Sequence, residues 1–91
     1  MSDSKLNKIR IRIDNIDDKI VRLFEERLRL VDDIVEEKNS IGIAIKDSKR
    51  EAEILKRYKE KDDFQFIEML YKSIFEISTL REEKNLKNNK G

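Results

Sequence analysis

The chain contains no cysteine and no histidine. The first absence removes disulfides, thiolate nucleophiles and cysteine metal sites. The second removes the commonest acid–base side chain and the commonest transition-metal ligand. Chemistry in this protein has to run on arginine, lysine, carboxylates and hydroxyls, and neither a cofactor nor a metal site is expected. Proline is absent too, and there are only two glycines in 91 residues, so little interrupts a helix. No apolar stretch reaches the length of a membrane-spanning helix. The polar start Met1-Ser2-Asp3-Ser4-Lys5 is followed by no apolar run, so a secretory signal is not expected. These features lead us to expect a soluble, cytoplasmic protein. There is no excess of charge of either sign: 21 basic residues face 20 acidic ones. That balance argues against a general nucleic-acid binder and leaves a DNA-binding helical dimer as a distant reading; no membrane partner is expected.

What the chain does have is charge on helices, with charged residues at 45%. One small domain fits this length, with a core modest enough for a second copy to be a natural source of further burial. The stretch from Leu6 to Lys38 dominates. Apolar residues recur at Leu6, Ile9, Ile13, Ile16, Ile20 and Leu23, then at Leu30 and Ile34. Steps of three and four predict one long helix with a heptad-like seam. A rod from about Lys5 to Lys38 is roughly 50 Å long, more than the width of a globule of this size. Part of it must project, and its seam calls for a partner. A simple coiled-coil strand is the plainer alternative.

Arg27 breaks the seam midway between Leu23 and Leu30. A guanidinium at a position patterned for burial requires an anion to meet it. Lys38 lies eleven residues further on, about 20° around the helix and roughly 16 Å along it, so both side chains can converge on a small anion. Taken alone, Lys38 reads as a C-terminal lysine complementing the helix dipole.

Asn39 to Lys46 loses the helical period and reads as a turn and an extended connector carrying Ile41, Ile43 and Ile45. Asp47 or Ser48 then caps a short second helix with Arg50 and Glu51 in its first turn, ending near Asp62-Asp63. Glu51 shares a stripe with Leu55 and Tyr58 and is a candidate to point inward. A third helix runs from Phe64 to about Glu83, its expected inner face traced by Ile67, Leu70, Tyr71, Ile74, Ile77 and Leu80. Ser78 and Glu82 lie four apart on the stripe of Tyr71 and Phe75, with Thr79 and Glu83 offering a competing register. Residues 1–5 are expected to be flexible, 6–83 to form the domain, and 84–91 to be a disordered tail.

The opening Arg10, Ile13, Asp14, Ile16, Asp17, then Leu23-Phe24-Glu25-Glu26-Arg27, Lys38, Gly42 and Asp47-x-x-Arg50-Glu51, resembles the all-helical chorismate mutase family. The resemblance covers about Leu6 to Glu83. It implies an all-α, intertwined homodimer of three-helix chains that rearranges chorismate to prephenate in phenylalanine and tyrosine biosynthesis. Residues matching Arg27, Lys38, Asp47, Arg50, Glu51, Ser78 and Glu82 line that family's pocket, and the one matching Arg10 comes from the other subunit. Geometry agrees on Arg10: it lies seventeen residues from Arg27, roughly 25 Å along one rod, so both could touch one small dianion only from different chains.

By this resemblance the catalytic residues are Arg27, Lys38 and Glu82. Guanidinium forks suit the two carboxylates of the substrate. Lys38 would reach a carboxylate and the ether oxygen, Glu51 and the backbone near Asp47 would hold the ring hydroxyl, and Ser78 would help position the substrate. Two departures stand out. Ala44 replaces a common connector proline, and Glu82 stands where glutamine usually donates to the ether oxygen. An ionised carboxylate cannot donate, so Glu82 is expected to act protonated, with activity falling as pH rises. An isochorismate pyruvate lyase on the same fold is the enzymatic alternative. A helical dimerisation or regulatory module is the non-enzymatic one.

Overall fold

The computed structural model describes the backbone of residues 2–41 and 47–89 and the side chains of residues 3–37 and 47–85. Three helices account for nearly all of it: α1 (Ser2–Ile41), α2 (Ser48–Lys56) and α3 (Phe64–Asn89). No strand occurs among the described residues, and the all-α expectation holds.

The helices exceed their expected ends. α1 begins at Ser2, ahead of the expected start near Lys5, and it continues through Asn39 and Ser40 to Ile41. Gly42 is the first residue in the chain that strongly disfavours helix, and polar residues alone do not end one. The rest of the expected connector, including Ile43, Ala44 and Ile45, lies outside the described residues. At the other end, α3 continues through 84–89, past its expected end near Glu83. That segment is rich in lysine and asparagine but holds no glycine or proline before Gly91. α2 is shorter than expected. It stops at Lys56, and residues 57–63 are turns closed by i→i+3 bonds such as Tyr58 N–H to the Leu55 carbonyl at 3.1 Å. That tightening turns the chain towards α3, whose Tyr71 ring stacks on Tyr58 with centroids 5.6 Å apart and also meets Phe75.

The chain divides into two compact units, Met1–Leu30 and Val31–Gly91. The first is the amphipathic rod itself. Its seam residues Leu6, Ile9, Ile13, Ile16, Ile20 and Leu23 are all exposed, while Arg27 is half-buried. The second unit holds the buried residues: Val31 and Val35 on α1, Phe75 and Ser78 on α3. The expected inner face of α3 is partly corrected. Leu70, Ile77 and Leu80 are exposed, and the buried side follows Tyr71, Phe75, Ser78, Glu82 and Asn85. Three polar residues on that stripe hide it from a hydropathy pattern.

Candidate active site

The site is built from the start of α2 and one face of α3, both in the second unit. Asp47 is the N-cap of α2. Its side chain accepts from the Arg50 backbone N–H at 3.0 Å, and its carbonyl accepts from Glu51 N–H at 3.1 Å. These bonds satisfy donors that a helix start leaves open, and they settle the choice between Asp47 and Ser48 as the cap. The cap fixes the first turn, which carries Glu51 into a half-buried position. There Glu51 lines a cleft of about 320 Å³ together with Lys72, Phe75, Glu76, Thr79 and Leu80. That volume is at the low end for small-molecule sites. The cleft offers two carboxylates, one ammonium, one hydroxyl and an aromatic wall. Lys72 also lies 3.8 Å from Glu68.

Ser78 and Glu82 stand on the buried side of α3. The Ser78 hydroxyl donates to the Ile74 carbonyl at 2.7 Å, the usual way a helical serine satisfies its proton inside a fold. Glu82 is half-buried with its Oε2 atom shielded from solvent, whereas Glu83 is exposed. Between the two competing registers, the inward-facing glutamate is Glu82, and Thr79 reaches the cleft from the neighbouring position. Arg50 is exposed and lies 3.8 Å from Glu53, pointing along the surface of α2. Arg10 and Arg27 belong to the first unit, Arg10 exposed and Arg27 half-buried. Lys38 lies within α1, and its side chain is outside the described residues.

A well-defined polar contact between α1 and α3 was not anticipated from the sequence. Asp32 on α1 receives Arg81 Nε at 2.8 Å on one oxygen and an Arg81 terminal nitrogen at 2.9 Å on the other, and Asn85 Nδ2 also donates to it. The Arg81 hydrogen bond is the main reason the Asp32 carboxyl is held down to about 2. Desolvation opposes it, and the Asn85 bond and the Arg81 charge assist. Asp32 in turn raises Arg81 above its ordinary value. One signal was available. Asp32 lies on a stripe with Phe24, Leu28 and Val35, beside the main seam, and a carboxylate there calls for a cationic partner.

A long α1, a short capped α2 and an α3 that turns a serine and a glutamate inward, with no strand among the described residues, are of the class expected for the helical mutases. The chorismate mutase type II family matches residues 9–83, and the chain belongs to that family. It is 46% identical over 56 residues to a chorismate mutase of Methanocaldococcus jannaschii, a match covering 62% of this chain and 57% of that protein. The chain thus aligns with little more than half the length of that relative. No solved structure matches.

Proposed function

We propose that the protein is a chorismate mutase that converts chorismate to prephenate. The observation that carries this reading is the family match over 9–83, which takes in every candidate site residue from Arg10 to Glu82. The 46% identity to a relative bearing that name supports it. The reaction is a unimolecular rearrangement in which one C–O bond breaks as one C–C bond forms. It requires no nucleophile, so a chain without cysteine or histidine can perform it. The protein's task is to hold a compact conformer and to stabilise the charge that develops on the ether oxygen.

In this mechanism Arg27, and Arg10 of the partner subunit, grip the two substrate carboxylates, each through a bidentate fork. Lys38 bridges a carboxylate and the ether oxygen. Glu51, positioned by the Asp47 cap, accepts a hydrogen bond from the ring hydroxyl, with Arg50 completing the charge balance at that end. Ser78 positions the substrate, and Glu82 donates from its protonated form, since only that form carries a proton. The homodimer follows from the same reading: the exposed seam of Leu6, Ile9, Ile13, Ile16, Ile20 and Leu23 would be covered by a second copy. Among the described residues no helix is long and apolar enough to cross a membrane, and a cytoplasmic location fits the substrate.

The test is incubation of the purified protein with chorismate at one mildly acidic and one mildly basic pH, following substrate loss and prephenate formation. Prephenate formed faster at the lower pH is the expected result. Equal rates would keep the mutase and remove the protonated Glu82. A folded dimer that leaves chorismate unchanged at both pH values would overturn the proposal, and isochorismate would then test the lyase.

A further inference from the structure

We propose that Asp32 is a positioning residue that acts through Arg81 and Asn85 to set where α3 presents Glu82. The inference rests on the reading in which Glu82 serves the ether oxygen. Its basis is a two-point grip. Arg81 holds both Asp32 oxygens at 2.8 and 2.9 Å, and Asn85, one turn further along α3, holds the same carboxylate. The two donors are spaced roughly 6 Å along the helix axis. A bidentate fork fixes orientation, and a second donor one turn away resists both rotation and sliding of the helix. Glu82 lies between them, directly after Arg81 and within the gripped turn.

This end of α3 has few apolar residues of its own. The buried positions Phe75 and Ser78 lie upstream, and Leu80 is exposed. From Arg81 to Asn89 the only apolar residue is Leu86. The other side of the grip is firm, because Asp32 is flanked on α1 by Val31 and Val35, 5% and 2% exposed. The Arg81 and Asp32 side chains remain 39% and 33% exposed, and solvent screening leaves such a pair little to add to stability. What the pair supplies is geometry. The sequence placed Asp32 in no role, and the mechanism above does not use it.

The experiment is a double-mutant cycle on the full chain with kcat as readout: Asp32→Ala, Glu82→Ala and both together. Asp32→Ala is expected to lower kcat on the order of 10-fold, within the range for a misplaced catalytic group, with KM moved less than about threefold. In the Glu82→Ala background the same substitution should cost less than about twofold, because the group it positions is gone. The Glu82 side-chain carboxyl resonance should shift or broaden in Asp32→Ala while that of Glu51 stays in place. An equal cost in both backgrounds would make Asp32 merely structural and overturn the proposal, as would an unmoved Glu82 resonance. Should Asp32→Ala lose helix content, Asp32→Asn keeps the shape and one acceptor, and the same two criteria apply. A Glu82→Ala chain as active as the parent would instead identify the role of Glu82 as the failed premise, and an inactive parent would identify the mutase reading.

Discussion

Replacing Ile16 by aspartate places a carboxylate in the middle of the α1 seam. Leu6, Ile9, Ile13, Ile16, Ile20 and Leu23 are between 44% and 64% exposed in the single chain, so about half of each side chain remains to be buried. Full burial of such a residue contributes about 1.5–3 kcal/mol, which leaves roughly 1 kcal/mol each for association. Summed over two chains this is on the order of 10 kcal/mol, comparable to the general cost of bringing two proteins together, about 4–15 kcal/mol. A dimer formed through this seam would therefore depend on the whole of it. An uncompensated buried carboxylate costs about 3–5 kcal/mol, and a two-fold interface meets the substitution twice. At about 1.4 kcal/mol per factor of ten, Ile16→Asp should weaken the dimer by roughly 10⁴-fold or more. Sedimentation velocity at micromolar protein should show dissociation, and chorismate turnover should disappear with it, since Arg10 would no longer reach its partner's site. Ile11→Asp is the control: Ile11 is equally exposed but off the seam, and should leave both measurements unchanged. An Ile16→Asp protein with the parent's dimer affinity, or a parent that is monomeric and fully active, would refute the reasoning.

Lys38→Ala should lower turnover on the order of 10²–10³-fold, as for loss of an oxyanion donor; a near-normal rate in a folded dimer removes Lys38 from the mechanism. Glu82→Gln should flatten the pH–rate profile, because the amide donates at every pH, and a profile identical to the parent's would place Glu82 away from the ether oxygen. Asp47→Ala removes the cap of α2 and should destabilise the fold by about 1 kcal/mol, read as a lower thermal midpoint, with turnover falling as Glu51 is displaced. Asp32 titrates at about 2 in the fold against an ordinary 3.8. Its contribution to stability is thus complete above the unfolded value and lost as pH falls towards the folded one. Asp32→Asn should therefore show a slightly smaller decline in urea midpoint than the parent between about pH 5 and pH 2, the difference kept small by solvent screening.

Much of this protein is legible in local pattern. The apolar periods of α1 and α3, the Asp47 cap and the absence of helix breakers are properties of neighbouring residues, and they account for the three helices and the lack of strands among the described residues. The charged series from Arg10 through Glu51 is equally local in spacing, and it pointed to a dianion clamp and to the family. The helices run past their expected ends because polar composition alone does not stop a helix, and 84–89 hold no breaker. What the tertiary structure decided are matters between elements. Packing chose Glu82 over Glu83 as the inward glutamate, turned Arg50 along the surface, and exposed Leu70, Ile77 and Leu80 while burying Phe75 and Ser78. The pairing of Asp32 with Arg81 and Asn85 joins residues about fifty positions apart. No periodicity within one helix encodes which carboxylate will meet which guanidinium on another. That is settled only when the two helices are docked and each charge has to find its partner.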